Sequence, residues 1–161
     1  MDKRAAELIR KLALEPHPEG GYFGEIYRSP NDVAPDDDRA HRKAITTIYF
    51  LLLPDAPSCW HRLESDEIWH HCEGAPVELL ASDADLVDLT PRILGPLSDE
   101  AEPARVVPAG YWQAARTLGA FSLVGCTIAP GFEYDDFKLL RDEEKVVDRF
   151  REYFPDVADL I

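Results

Sequence analysis

Positive charge is scarce in this chain: 17 Lys and Arg stand against 31 Asp and Glu, a net charge of −14 over 161 residues. A surface of that sign repels the phosphates that dominate nucleic-acid affinity and the anionic face of a bilayer, so no nucleic acid and no membrane is expected as a partner. Cysteine is scarce too, with three residues, Cys59, Cys72 and Cys126. An odd count without a secretion signal argues against a disulfide framework, and all three are expected to be reduced and buried. No stretch approaches the ~20 consecutive apolar residues of a membrane-spanning helix. The opening MDKRAAELIRKLALEPHPEG carries charges where the apolar core of a signal peptide would stand, which makes the cytosol the expected compartment. Internal repeats, low-complexity tracts and an interdomain linker are also missing, and the length suits one domain over 1–161.

What is present is an ordinary globular composition, 45% apolar and 30% charged. Ala5, Leu8, Ile9 and Leu12 recur at helical spacing, with Asp2 placed to cap and Pro16 to stop, so a short amphipathic helix is predicted over 2–14. It is expected to pack on the wall of the domain or on a partner subunit. After the Gly20-Gly21 punctuation, Tyr22 to Arg28 reads as a strand, Asn31 to Arg39 as an exposed loop, and Ile45 to Leu53 as a β-branched and aromatic strand closed by Pro54. From Ser58 to Thr90 short apolar segments are divided by Gly74, Pro76 and the acidic turn Ser82 to Asp85. Further strands follow at 104–108, 111–117 and 121–129, and a final helix is predicted over 142–154. Many short strands without helices between them indicate an all-β sandwich or barrel with short flanking helices, and argue against a parallel α/β sheet.

Chemistry-bearing residues concentrate in SCWHRLESDEIWHHCEGAP, which holds His61, His70 and His71 among Glu64, Asp66, Glu67 and Glu73. If a turn at Ser65-Asp66 joins two strands, alternation puts His61 on one face of the first and Glu67, Trp69 and His71 on one face of the second, so His61 and Glu67 can converge inside a barrel. Elsewhere Glu25, Tyr27 and Arg28 follow the Gly-Gly turn. Arg28 is suited to a bidentate grip on a ligand carboxylate or phosphate, or to a structural salt bridge, which is the preferred reading. Thr47 and Tyr49 share one strand face and are candidates for lining a pocket, the opposite face being the alternative. His17 and His41 fall in predicted loops and are expected to be solvated. Trp60, Trp69 and Trp112 are assigned to core or interface, and Cys59 to packing.

These segments resemble a known family. His61, Leu63, Glu67 and Gly74 keep the spacing of the first cupin motif but place leucine where its second histidine stands. Pro108-Ala109-Gly110-Tyr111-Trp112-Gln113 resembles the second motif with glutamine in place of its histidine. More closely, EGGYFGEIYRS, TTIYFLL, WHRLESDEIWHHCEG, VPAGYWQAA and LVGCTIAPGFEYDDFKLL are similar to the signature segments of the DUF985, or cupin 5, family from about Glu19 to Leu140. The resemblance implies a double-stranded β-helix jelly roll, commonly a homodimer, and implies little about reaction.

Metal-dependent cupins usually offer three histidines and a glutamate, whereas here His61 and Glu67 alone match and an amide such as Gln113 is a weak ligand for metals that prefer imidazole. No cofactor is therefore predicted. Should a first-row divalent metal be retained, His61, Glu67, Gln113 and His71 would hold it. Without metal, His61 can act as a general base oriented by Glu67, with Gln113 supplying an amide donor and acceptor. That looks like the metal-free sugar epimerases of the cupin superfamily, where a tyrosine serves as acid, and Tyr22, Tyr27, Tyr49 and Tyr111 are the candidates for that role. The expected function is recognition of a small polar, sugar-like metabolite in the barrel, coupled to metal-independent isomerisation or epimerisation. The alternatives are a metal-dependent oxygenase or isomerase and a noncatalytic structural cupin in which His61 and Glu67 form a buried pair kept for packing.

Overall fold

The computed structural model describes residues 1–161. Helix α1 (Lys3–Lys11) starts where the Asp2 carboxylate accepts from the backbone N–H groups of Arg4 and Ala5, at 2.7 and 3.2 Å. It ends before the predicted residue 14 because Ala13 takes a left-handed φ of 51°, which turns the chain back ahead of Pro16. Its apolar face seats Ala5 and Leu8 against Leu14, Leu51, Leu53 and Leu123.

Fourteen strands follow: β1 (Glu15–Pro16), β2 (Tyr22–Arg28), β3 (Asp32–Val33), β4 (Arg42–Lys43), β5 (Thr46–Leu52), β6 (Ser58–Leu63), β7 (Asp66–Gly74), β8 (Val77–Ser82), β9 (Leu89–Leu94), β10 (Ala101–Glu102), β11 (Ala104–Val107), β12 (Trp112–Thr117), β13 (Ser122–Ala129) and β14 (Phe137–Leu139). They form two six-stranded sheets, ordered β1-β2-β5-β13-β7-β11 and β10-β9-β8-β12-β6-β14, with β3 and β4 as a separate ribbon. The chain repeatedly changes sheet between neighbouring strands, as in the double-stranded β-helix jelly roll. The predicted all-β architecture with short flanking helices is what is observed. Helix α2 (Glu144–Tyr153) falls within the predicted 142–154 and is followed by a 3-10 helix over Pro155–Leu160, and no helix is long and apolar enough to cross a membrane.

One sheet change matters most for the site. β6 and β7 are adjacent in sequence but do not pair: β6 lies between β12 and β14, and β7 between β13 and β11. His61 and Glu67 therefore reach the interior from opposite sheets.

The interior is unevenly filled. At one end Phe50, Leu52, Trp69, Val77, Leu79 and Val124 pack between the sheets as the main core. On the outer face of the second sheet, Trp60, Leu80 and Trp112 bury against Val147 and Phe150 of α2, and the Trp60 indole N–H donates to the Val157 carbonyl at 3.0 Å. The other end of the barrel holds a cavity.

Candidate functional site

The floor of that cavity begins with the Gly-Gly turn before β2. Gly20 has φ 109° and Gly21 φ 64°, and a Cβ on Gly20 would fall 1.9 Å from the Pro57 carbonyl oxygen. Only glycine fits so close to another backbone. The turn holds Glu19 against β6, where its carbonyl accepts from the Cys59 N–H at 2.7 Å and its carboxyl accepts from the Ser58 hydroxyl at 2.8 Å. Gly20→Ala is thus expected to lower stability by at least about 1–3 kcal/mol, read from chemical denaturation, and to displace Glu19; an unchanged midpoint would contradict this account of the turn.

His61, Glu67, Gln113 and Glu19 are 2, 4, 1 and 6% exposed. The His61 Nδ1 lies 2.8 Å from the Cys59 carbonyl, which can only accept, so Nδ1 carries the proton and Nε2 the lone pair. Nε2 lies 3.5 Å from the Glu19 carboxyl, and His17 Nδ1 lies at the same distance on the same oxygen. Glu67 accepts from the Gln113 amide at 2.6 Å, and the Gln113 oxygen accepts from the Trp69 indole N–H at 3.0 Å. Gln113 thus stands behind Glu67 and orients it.

Burial sets the protonation of this group. It pushes the Glu19 carboxyl up to about 7, against His17 and the Ser58 hydrogen bond. Burial likewise pushes Glu67 up to about 7, against His61 and with Glu19 adding to the rise. It pushes the imidazoles of His61 and His17 down from their ordinary value, against the neighbouring carboxyls. The His–Glu separations are those of ion pairs, but burial opposes charge on both partners and leaves the imidazoles neutral at neutral pH. The Cys126 thiol, also on the cavity, is raised well above its ordinary range by burial and is no nucleophile there.

The cavity has a volume of about 140 Å³. Its walls are Phe23, Ile48, Phe50, Phe132, Phe137 and neighbouring aliphatic groups, with Glu25, Arg28 and Tyr134 at the mouth. A β-bulge between Glu25 and Tyr27 explains the mouth: Glu25 pairs with Ile48 and Arg28 with Thr46, so the extra residue turns both Glu25 and Arg28 to the cavity. Arg28 donates to Glu25 at 2.9 Å and to Glu133 at 3.0 Å, the structural salt bridge preferred from sequence. The segment carrying Phe132 and Tyr134 is tied across the mouth by the Phe132 N–H donating to the Thr46 hydroxyl and by Asp136, which pairs with Arg42 at 2.8 Å and Arg39 at 3.1 Å.

Several expectations are corrected. Tyr27 is 50% exposed and lies off the cavity because of the bulge. Thr47 and Tyr49 occupy the opposite face of β5: Thr47 bonds Thr127 at 2.8 Å, Tyr49 packs toward α1, and Thr46, Ile48 and Phe50 take the lining positions. His71 lies away from the cavity and donates from Nε2 to the Ala75 carbonyl at 3.2 Å. Gln113 does not line the cavity. Among the tyrosines named from sequence none reaches it, whereas Tyr134 does. His17 is not solvated but walled in by Phe23, Phe50 and Phe137. Of the cysteines, Cys126 alone is buried, with Cys59 intermediate and Cys72 exposed, and all three are free thiols. Glu19 was missed, although the Gly-Gly pair directly after it was a signal of close backbone approach.

The donor set does not fit the metal centre usual in cupins. Leu63 faces the cavity in place of one histidine, the Gln113 oxygen is engaged by Trp69, His71 is turned to Ala75, and no three His, Cys, Asp or Glu side chains are grouped as a metal site.

Comparison with known proteins agrees with this frame. A hypothetical protein from Leishmania major superposes with a TM-score of 0.84 at 31% identity, covering 98% of this chain and 96% of that one. Protein SO0799 from Shewanella oneidensis gives 0.81 at 32% identity, covering 97% and 93%. The uncharacterized protein YML079W of Saccharomyces cerevisiae is 26% identical over 155 residues, which is 87% of this chain and 77% of the yeast protein. The cupin 5 family, described as Cupin superfamily (DUF985), matches residues 6–140, and this chain belongs to it.

Proposed function

We propose that the barrel binds a small polar, sugar-like metabolite and moves a proton on it without a metal, as an isomerase or epimerase would. The observation that carries this reading is the His61 ring, whose Nδ1 is committed to the Cys59 carbonyl while Nε2 presents its lone pair to a cavity shared with Glu19 and Glu67. A neutral imidazole base beside carboxyls that keep protons near neutrality is the pairing that acid/base chemistry requires. In the step this supports, Nε2 removes a proton from the carbon next to a carbonyl, the electron pair shifts into the new C=C bond, and the carbonyl oxygen takes a proton from a cavity carboxyl. Isomerisation is completed when the imidazolium gives its proton to the former carbonyl carbon while the neighbouring hydroxyl returns a proton to the carboxylate. Epimerisation is completed when a second cavity carboxyl protonates the original carbon on its opposite face and the enol oxygen returns its proton to the first carboxylate. Glu67, held by Gln113, sets the field at His61, and Arg28 with Glu25 frames the mouth.

Size narrows the ligand. The cavity, at about 140 Å³, lies below the ~300 Å³ at which drug-sized pockets begin. A compact metabolite, or the reacting end of a longer one, fits. The homodimer implied by the family resemblance belongs to the same reading, as does a location in the cytosol.

The test is a thermal-shift screen of the untagged protein against small sugars, polyols and keto acids in the presence of a chelator. A compound that raises the melting temperature of the wild-type chain and not of a folded His61→Ala variant supports the reading. An equal rise in both, or a rise abolished by the chelator, contradicts it.

A further inference from the structure

The charges around the cavity do not balance. Three carboxyl groups line it, Glu19, Glu25 and Glu67, against one cation, Arg28. That guanidinium is already engaged at the mouth by Glu25 and Glu133. The floor is left with two buried carboxyls and two imidazoles that burial keeps neutral, with no lysine or arginine among them. Glu19 accepts from the Ser58 hydroxyl, and Glu67 from the Gln113 amide with the Trp69 indole and the Cys126 thiol also against it, and none of these donors carries a positive charge. Ionisation of a buried carboxyl without a counter-charge is unfavourable, which is why both hold their protons to so high a pH, and a ligand that brings a positive charge favours the ionised form.

The walls favour the same sign. Phe23, Phe50, Phe132, Phe137 and Tyr134 surround the space, and aromatic faces attract cations by about 0.5–2 kcal/mol while offering an anion nothing. A net charge of −14 concentrates cations near the surface and repels anions from the mouth.

We propose that the natural ligand carries an ammonium-type positive charge, seated on the cavity floor between Glu19 and Glu67 and against the aromatic wall. This rests on the reading of the cavity as a small-molecule site and adds the class of compound: an amino-substituted polyol or sugar fragment rather than an acid or a phosphate ester. Glu19 is the principal anchor, because its carboxyl also touches the bases His17 and His61.

Serinol, glycerol and glycerate share a three-carbon polar skeleton and differ in charge, so they serve as probes. Each is titrated into the full-length protein at neutral pH, with nitrogen-15 NMR following the cavity residues. Serinol is expected to bind at least about tenfold more tightly than glycerol, with glycerate weakest. Glu19→Gln, and separately Glu67→Gln should the first fold poorly, is expected to erase that preference. Glycerol or glycerate binding as well as serinol overturns the ammonium proposal while leaving the cavity a ligand site. Failure of all three to perturb any cavity residue overturns both the proposal and the reading on which it rests.

Discussion

Above about pH 7, Glu19→Gln is expected to be more stable than the wild-type chain, by up to about 3 kcal/mol, and the advantage is expected to vanish at about pH 4. The buried Glu19 carboxyl is raised from 4.5 to about 7. Below 4.5 it is protonated in the folded and unfolded chain alike, and its burial carries no ionisation penalty. Between 4.5 and 7 the unfolded chain releases the proton while the folded chain retains it, so stability falls as pH rises, and the loss is complete once the folded carboxyl ionises. Glutamine has no such titration and still offers Ser58 an acceptor. His17 and His61, lowered by burial, act in the other direction, withdrawing stability as pH falls below 6.5. The informative quantity is therefore the difference between variant and wild type, from denaturant unfolding across pH. A variant less stable than wild type at high pH would mean that Glu19 is held as a favourable carboxylate. An acid that weakens the fold is what a residue retained for binding rather than stability should look like.

Gln113→Leu carries the other large effect. The amide joins two buried groups, donating to Glu67 at 2.6 Å and accepting from the Trp69 indole at 3.0 Å. Leucine fills similar space and satisfies neither. Each orphaned partner is expected to cost about 1–3 kcal/mol, so the loss should stand well above that of a surface change. Removing the hydrogen bond also raises the Glu67 carboxyl further, because that bond is one of the influences holding it down. Equilibrium unfolding measures the first effect, and the pH dependence of stability relative to wild type the second. Near-wild-type stability would mean that Gln113 is dispensable to the interior and does not position Glu67.

Much of the fold was legible because strand chemistry and turn residues coincide along the chain. Tyr22 to Arg28 is β2 residue for residue, and the predicted segments at 104–108, 111–117 and 121–129 each contain a strand. The family resemblance rested on the same segments. The site was legible at His61 and Glu67, whose alternation survives in the folded chain. It was not legible where an irregularity broke the alternation. The bulge between Glu25 and Tyr27 exchanges Tyr27 for Arg28, and nothing in YFGEIYRS marks where the extra residue falls. On β5 both faces are apolar or aromatic, so periodicity did not choose between Thr46 and Thr47, and the packing of Tyr49 toward α1 decided it. Glu19 and Tyr134 escaped notice, and His17 was expected to be solvated, because irregular segments deliver all three, and the paths of such segments depend on contacts remote in sequence. The Asp136 pairing with Arg42 and the Glu19 bond to Ser58 are two such contacts.

The central claim is that His61 faces the cavity as a neutral base with its proton on Nδ1. Nitrogen-15 NMR of the histidine side chains near neutral pH tests it most directly, since the two ring nitrogens report tautomer and charge separately. The account predicts that His61 shows a protonated Nδ1 and an unprotonated Nε2, and keeps that state below the pH at which an exposed histidine would have charged. An imidazolium at neutral pH, or the proton on Nε2, would contradict it.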